Sequence, residues 1–197
     1  MRGLTMGAAG FSWPATDVFG VGSAIEAASD LVEAYAYVSR YGEAICTVGD
    51  CGVSAVLLSA EFRRVEAYEP DPENYRALLK NSTENVMPYC AGLSGKSGTG
   101  HLVRDDPDNC RSNRIIMSGS KVEVFTLDSR SSRPDLIVIG ETNQDALTGA
   151  TRTLSENRPV LFCFGKPEPT LEPWLETVGY RIVQRTDSGF ICTHSAD

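Results

Sequence analysis

The chain is poor in the residues that metal and nucleophile chemistries usually need. It has two histidines, His101 and His194, and none of its six cysteines falls in a C-x-x-C spacing, so a zinc site is poorly supported. A Ser-His-Asp relay is no better served, because Ser54 and Ser129 have no histidine near them in sequence. No run approaches the roughly 20 apolar residues of a bilayer span. The stretch Met1 to Gly22 lacks the continuous apolar core of a secretory signal and reads as an irregular arm. Basic residues are outnumbered, 18 Lys and Arg against 26 Asp and Glu, for a formal charge of −8. Arg63-Arg64 is the only adjacent basic pair. Phosphate neutralisation needs clustered cations, so neither a nucleic-acid nor a membrane partner is expected.

What is present is an ordinary core composition. With 197 residues, 42% of them hydrophobic, one domain can bury about 70% of its unfolded surface without disulfides or a structural metal. Cys46, Cys90, Cys163 and Cys192 sit inside apolar runs, where a free cysteine acts as a small hydrophobe. Reduced, buried thiols fit a cytoplasmic setting, whether of the source cell or of a virus's host. Helix-like and strand-like segments alternate, which predicts an α/β fold. Helices are expected over 23–40, 53–62, 71–81, 145–157 and 170–178. Strands are expected over 44–48, 64–68, 86–90, 121–126, 135–139 and 159–164. Residues 180–184 and 190–193, joined by Asp187-Ser188-Gly189, predict a closing antiparallel hairpin. The segments 94–100 and 105–120 read as a turn-rich stretch and a polar loop. The expected organisation is an arm over 1–22 and a single domain over 23–197, a mostly parallel sheet with helices on both faces.

Ligands of such sheets bind beyond the carboxyl ends of strands, which directs attention to two loops. The first is Val48-Gly49-Asp50-Cys51-Gly52-Val53-Ser54, where glycines permit close backbone approach and the following helix offers free N–H groups. It can equally be a plain tight turn. The second is Glu69, 17 residues after Gly52, placed to accept both hydroxyl protons of a ribose. Its alternative is a solvated carboxylate near the next helix start, although Asp71 already fills the N-cap position there. The full G-x-G-x-x-G is missing, which favours a ribose-bearing ligand without a pyrophosphate. S-adenosylmethionine is the obvious member of that class, and no metal is expected.

At these residues the sequence resembles a known family. Tyr68-Glu69-Pro70-Asp71-Pro72-Glu73-Asn74 resembles the E-P-x-P-E-N box of FkbM-type S-adenosylmethionine-dependent methyltransferases. Ala91-Gly92-Leu93-Ser94 with Gly98, Thr126-Leu127-Asp128, and Asp135-Leu136-Ile137 followed by Leu147, Gly149-Ala150, Leu154 and Arg158-Pro159-Val160 resemble its later segments. Gly179-Tyr180 matches its late Gly-Tyr. The resemblance runs from about Ile45 to Tyr180. It implies a Rossmann-like class I methyltransferase fold with seven strands. It implies a cofactor held by Thr47, Gly49, Asp50, Gly52, Glu69 and Pro70, and methyl transfer to a small-molecule or sugar hydroxyl.

Two departures bear on catalysis. The family's D-x-G-A-N-x-G loop reads Thr47-Val48-Gly49-Asp50-Cys51-Gly52-Val53 here, with threonine for the acid and valine for the last glycine. Its K-x-D-x-E-G reads Val138-Ile139-Gly140-Glu141-Thr142-Asn143-Gln144, which loses the lysine and the aspartate. Transfer to oxygen needs a proton acceptor. Glu141 and Asp128 are the candidate catalytic residues, with Asp145 nearby. The alternative is a methyltransferase fold that has lost catalysis and serves as a structural or interaction subunit, for example a viral or accessory protein. Phe11 and Trp13 in the arm are candidate contacts for the sheet, a second copy or a protein partner.

Overall fold

The computed structural model describes residues 4–6, 8–17, 20–106, 108–117, 121–130 and 132–196. The arm carries two short strands, β1 (Leu4–Met6) and β2 (Ser12–Pro14), and leads into α1 (Gly20–Leu31). The first central strand, β3 (Glu43–Cys46), is followed by α2 (Val53–Ser59), β4 (Arg64–Tyr68), α3 (Pro72–Asn81) and β5 (Val86–Tyr89). Four strands intervene: β6 (Gly92–Leu93), β7 (Gly98–Arg104), β8 (Asn113–Ile116) and β9 (Val122–Phe125). The second half runs β10 (Leu136–Ile139), α4 (Thr151–Asn157), β11 (Val160–Phe164), α5 (Leu171–Thr177), β12 (Tyr180–Arg185) and β13 (Gly189–His194).

Seven strands form one sheet in the order β12-β13-β11-β10-β3-β4-β5. All the pairings are parallel except those of β13, which runs antiparallel to both β11 and β12. β10 and β11 are buried at every position. That explains their unbroken Leu-Ile-Val-Phe character, since a parallel strand covered on both faces has no polar side to alternate. One face of the sheet packs Leu31, Ala34, Leu58, Phe62 and Leu78 against Ala44, Val138 and Phe162. The other packs Leu93, Leu127, Leu147, Leu154 and Leu175 against Ile45, Ile137 and Leu161. Chain order reverses between β3 and β10, so the carboxyl ends of β3, β4, β10 and β11 border a crevice at a topological switch point.

Local chemistry explains the best-defined helix. Asp71 caps α3 by accepting from the Glu73 N–H at 2.8 Å, with Pro72 at the first position and Lys80 in the last turn. α5 ends at Gly179, whose φ of +81° suits the left-handed residue after a helix.

Several elements differ from the sequence reading. The expected helix over 23–40 ends at Leu31 and continues as a 3-10 segment, Val32–Tyr37. There Tyr35 turns in to meet Tyr41 and Phe62 edge-on. The helix expected from Asp145 begins only at Thr151, after a long 3-10 segment, Glu141–Ala150, that is kinked at Asn143. The polar 105–120 stretch contains β8, which pairs antiparallel with β7 and completes a four-stranded sheet ordered β6-β9-β7-β8. The arm is less irregular than expected. Its Trp13 is 1% exposed and packs with Ala24, Ala28, Cys51, Val53 and Ala77. Cys46, Cys163 and Cys192 are buried and free, as their apolar surroundings imply, but Cys90 is exposed because β5 ends one residue before it.

Candidate functional site

The loop after β3 is tied to its neighbours by backbone bonds. Thr47 donates its N–H to the Val138 carbonyl at 2.9 Å, and its Oγ1 accepts from the Gly140 N–H at 3.3 Å. Gly49 donates to the Tyr68 carbonyl at 2.8 Å. A Cβ at Gly49 would stand 2.7 Å from both that carbonyl oxygen and the Glu69 Cβ, so only glycine fits. Gly52, at φ +99°, closes a turn onto the Gly49 carbonyl and rests against Leu78. Asn81 fastens the loop by donating to the carbonyls of Cys51 (2.6 Å) and Ser12 (2.8 Å). The two glycines therefore seat the loop on the protein's own β4 and α3. Asp50, between them, occupies the left-handed region at φ +41° and points its carboxylate into the crevice mouth.

Glu69 follows β4 and is buried, 4% exposed. Its Oε1 accepts the Asp71 N–H at 2.7 Å. Burial pushes its carboxyl well above the usual carboxylate range, and the neighbouring Asp50 carboxylate pushes it further. Burial also raises Asp50, against the pull of Arg111, whose Nε lies 3.3 Å from Asp50 Oδ2. Asp71 holds Arg104 through two contacts, at 2.8 and 2.9 Å, and accepts from Asn113 Nδ2 at 3.0 Å.

Two adjoining spaces share Val48, Asp50, Arg111 and Gly140 as their boundary. The inner one, about 70 Å³, is lined by Thr47, Glu69, Pro70, Ser94, Ile115 and Asn143 among others. The outer cleft, about 950 Å³, opens between α1, Glu141, Phe164 and the β12–β13 turn. Ser94 Oγ donates to Asp145 Oδ2 at 2.7 Å on the inner wall. Asn143 Oδ1 is buried there with no hydrogen-bond partner among the described residues, an unmet acceptor of the kind that a ligand donor satisfies. Two apolar contacts narrow the space. Val48 Cγ2 stands 2.7 Å from where a Cβ on Gly140 would lie, so the Asp of the family pattern could not be placed there without moving Val48. Ile115 lies across Gly92, its Cδ1 2.0 Å from the corresponding Cβ position.

The structure thus brings Thr47, Asp50, Glu69 and Pro70 to one cavity, whereas Gly49 and Gly52 hold the loop from outside it. Glu141 faces the outer cleft, its side chain lying against Gly165. Asp128 lies elsewhere. Its carboxylate caps α4 by accepting from the N–H groups of Arg152 (2.9 Å) and Thr153 (2.8 Å) and from Thr153 Oγ1 (2.8 Å). It lines neither space. The sequence reading missed Arg111, Ile115 and Asn143. All three sit in segments without apolar periodicity, and only the odd Ile115-Ile116 pair in a polar stretch hinted at packing there, where both side chains are half-buried. No group of three or more metal-ligating side chains occurs among the described residues.

No protein-family model and no curated protein matches the chain. Solved structures do. A protein described as a methyltransferase, yhhF from Escherichia coli, matches with a TM-score of 0.55 at 10% identity, over 99% of this chain and 100% of that one. TYW2 of M. jannaschii, solved in complex with AdoMet, matches at 0.52 and 14%, over 98% and 84%. A precorrin-6y C5,15-methyltransferase from Geobacter metallireducens matches at 0.51 and 13%, over 82% and 86%. The chain has the fold of these methyltransferase structures.

Proposed function

We propose that this chain binds S-adenosylmethionine in the crevice and is a small methyltransferase of FkbM-like type, acting on a hydroxyl of a small molecule or sugar. The observation that carries the reading is the inner cavity itself. A buried carboxylate at the end of the second central strand, Glu69, and an unmet buried acceptor, Asn143 Oδ1, line one space at the sheet's switch point. Those two acceptors suit a ligand bringing hydroxyl and amino protons. Glu69 would accept the two ribose hydroxyls, and those bonds would stabilise the charge that burial disfavours. Adenosyl-sized ligands need about 300 Å³ or more. The outer cleft offers that, but the inner space does not until Arg111 and Ile115 move.

The cofactor supplies an electrophilic methyl group. The chain's own part is to hold the ribose on Glu69, keep Asp50 beside the loop, and present Glu141 to the acceptor in the outer cleft. There the Glu141 carboxylate would take the hydroxyl proton as oxygen accepts the methyl group. A second reading, a fold retained without catalysis, is favoured by one contact: Val48 fills the space that an acid at position 140 would need. The test is a thermal-unfolding titration of the full chain with S-adenosylmethionine and with its demethylated product. Ligand at 100 times its dissociation constant adds roughly 2.7 kcal/mol, which moves the midpoint of a chain this size by several degrees. A flat response at millimolar ligand overturns the binding reading. Binding without turnover on any hydroxyl acceptor favours the second.

A further inference from the structure

We infer that the β7–β8 hairpin is a strap across the inner cavity, and that Arg111 and Ile115 decide whether a ligand reaches Glu69. This rests on the crevice being the ligand site, as proposed above.

The strap is attached to the body at its base and through side chains, of which Arg104, Arg111, Asn113 and Ile115 have defined partners. Among the described residues β7 pairs with β9 at Gly98, Thr99 and Gly100. From His101 to Arg104 its strand partner among the described residues is β8, through His101↔Ile116 to Arg104↔Asn113, and β8 is the outer strand of its sheet. A two-stranded ribbon is only marginally stable by itself, so its place over the crevice depends on what its side chains hold. Arg104 and Asn113 both hold Asp71, at the start of α3. Arg111, on the short 3-10 turn Cys110–Ser112 that precedes β8, reaches Asp50. Ile115 drops onto Gly92, with the Pro70 Cβ beside the same spot.

These attachments differ in kind. The Arg104 pair is two-point and lies outside the inner cavity, at the end of the ribbon away from β9, so it anchors the far end of the strap without walling the site. Arg111 and Ile115 are themselves walls of the inner cavity, and Arg111 is also a wall of the outer cleft. Displacing those two side chains, with the Asp71 anchor intact, joins the two spaces into one opening onto Glu69. Gly92 is what lets the isoleucine lie so close, since any side chain there would meet Ile115.

The experiment compares the full-length wild type, Ile115→Ala, Arg111→Gln and Glu69→Gln. Amide hydrogen exchange without ligand reads the strap. Calorimetric titration with S-adenosylmethionine reads the gate. Exchange at residues 101–104 and 113–116 is expected to rise at least tenfold in Ile115→Ala and in Arg111→Gln, with β10 and β11 unchanged. Affinity is expected to rise at least fivefold in Ile115→Ala. Arg111→Gln leaves Asp50 short of its guanidinium and can lower overall stability, so Ile115→Ala, which removes no charge, is the deciding variant. Unchanged exchange in Ile115→Ala overturns the strap. Raised exchange with equal or weaker binding, in a wild type that does bind, overturns the gate. Raised exchange with no binding by any of the four chains supports the strap and overturns the ligand reading on which the gate rests.

Discussion

Val48 leaves no room for a side chain at position 140, and that exclusion can be measured. A Cβ on Gly140 would lie 2.7 Å from Val48 Cγ2, and its next neighbour, the Asn143 Cβ, is 3.7 Å away. Val48 is β-branched and therefore stiff, so relief requires moving the loop after β3 as well as rotating a methyl. Gly140 has ordinary extended backbone, with φ −73° and ψ 152°, so alanine adds no backbone strain. The whole penalty for Gly140→Ala is then steric. Overpacking of this kind costs about 1–3 kcal/mol. Val48→Ala removes the obstructing methyl groups at its own cost in lost burial. In the double variant the steric penalty should vanish, giving a coupling of about 1 kcal/mol or more between the sites. Urea unfolding of the wild type, both single variants and the double variant measures it. Additivity within about 0.5 kcal/mol would refute the contact.

Three further outcomes follow from single groups. The folded-state carboxyl of Glu69 is raised, so it binds more protons folded than unfolded. Its contribution therefore falls as pH climbs from the usual carboxylate value through the raised one. With Asp50 and Asp71 facing it, and Arg111 and Arg104 beside them, Glu69→Gln should lose less stability between pH 5 and pH 8 than the wild type; parallel melting curves across that range would contradict this. Asp128→Ala removes the cap of α4 and should cost about 1 kcal/mol in chemical denaturation, with ligand affinity unchanged; a binding defect would place Asp128 in the site after all. Trp13→Ala empties a buried position between α1, α3 and the crevice loop and should cost about 3–5 kcal/mol in urea unfolding. A change under 1 kcal/mol would show that the arm is dispensable to the fold.

The central sheet was legible because its strands are buried on both faces and therefore written as unbroken apolar runs, Leu136–Ile139 and Val160–Phe164 among them. Helix α3 was legible because Asp71-Pro72-Glu73 spells a start in local chemistry alone. Glu69 could be placed because a strand end followed by Pro70 fixes where the acid must lie. The β7–β8 ribbon was not legible. It covers only a small part of the core, so His101-Leu102-Val103 and Asn113-Arg114-Ile115 carry little of the alternation that marks a half-buried strand. Arg111 and Ile115, the walls that this ribbon and its turn supply, went unseen for the same reason. Asp128 was a candidate as an acid left near the altered K-x-D-x-E-G segment; its carboxylate meets the α4 N-terminus, 24 residues along the chain, a contact that no local pattern announces.

Calorimetric titration of the full chain with S-adenosylmethionine, wild type beside Glu69→Gln, reads whether Glu69 holds the ligand. The wild type should bind saturably and one to one, and the variant should lose about a hundredfold or more in affinity. That loss corresponds to one or two charge-assisted hydrogen bonds at roughly 1.5–3 kcal/mol each. Equal affinity in the two chains, or no heat of binding from either at millimolar ligand, would contradict it.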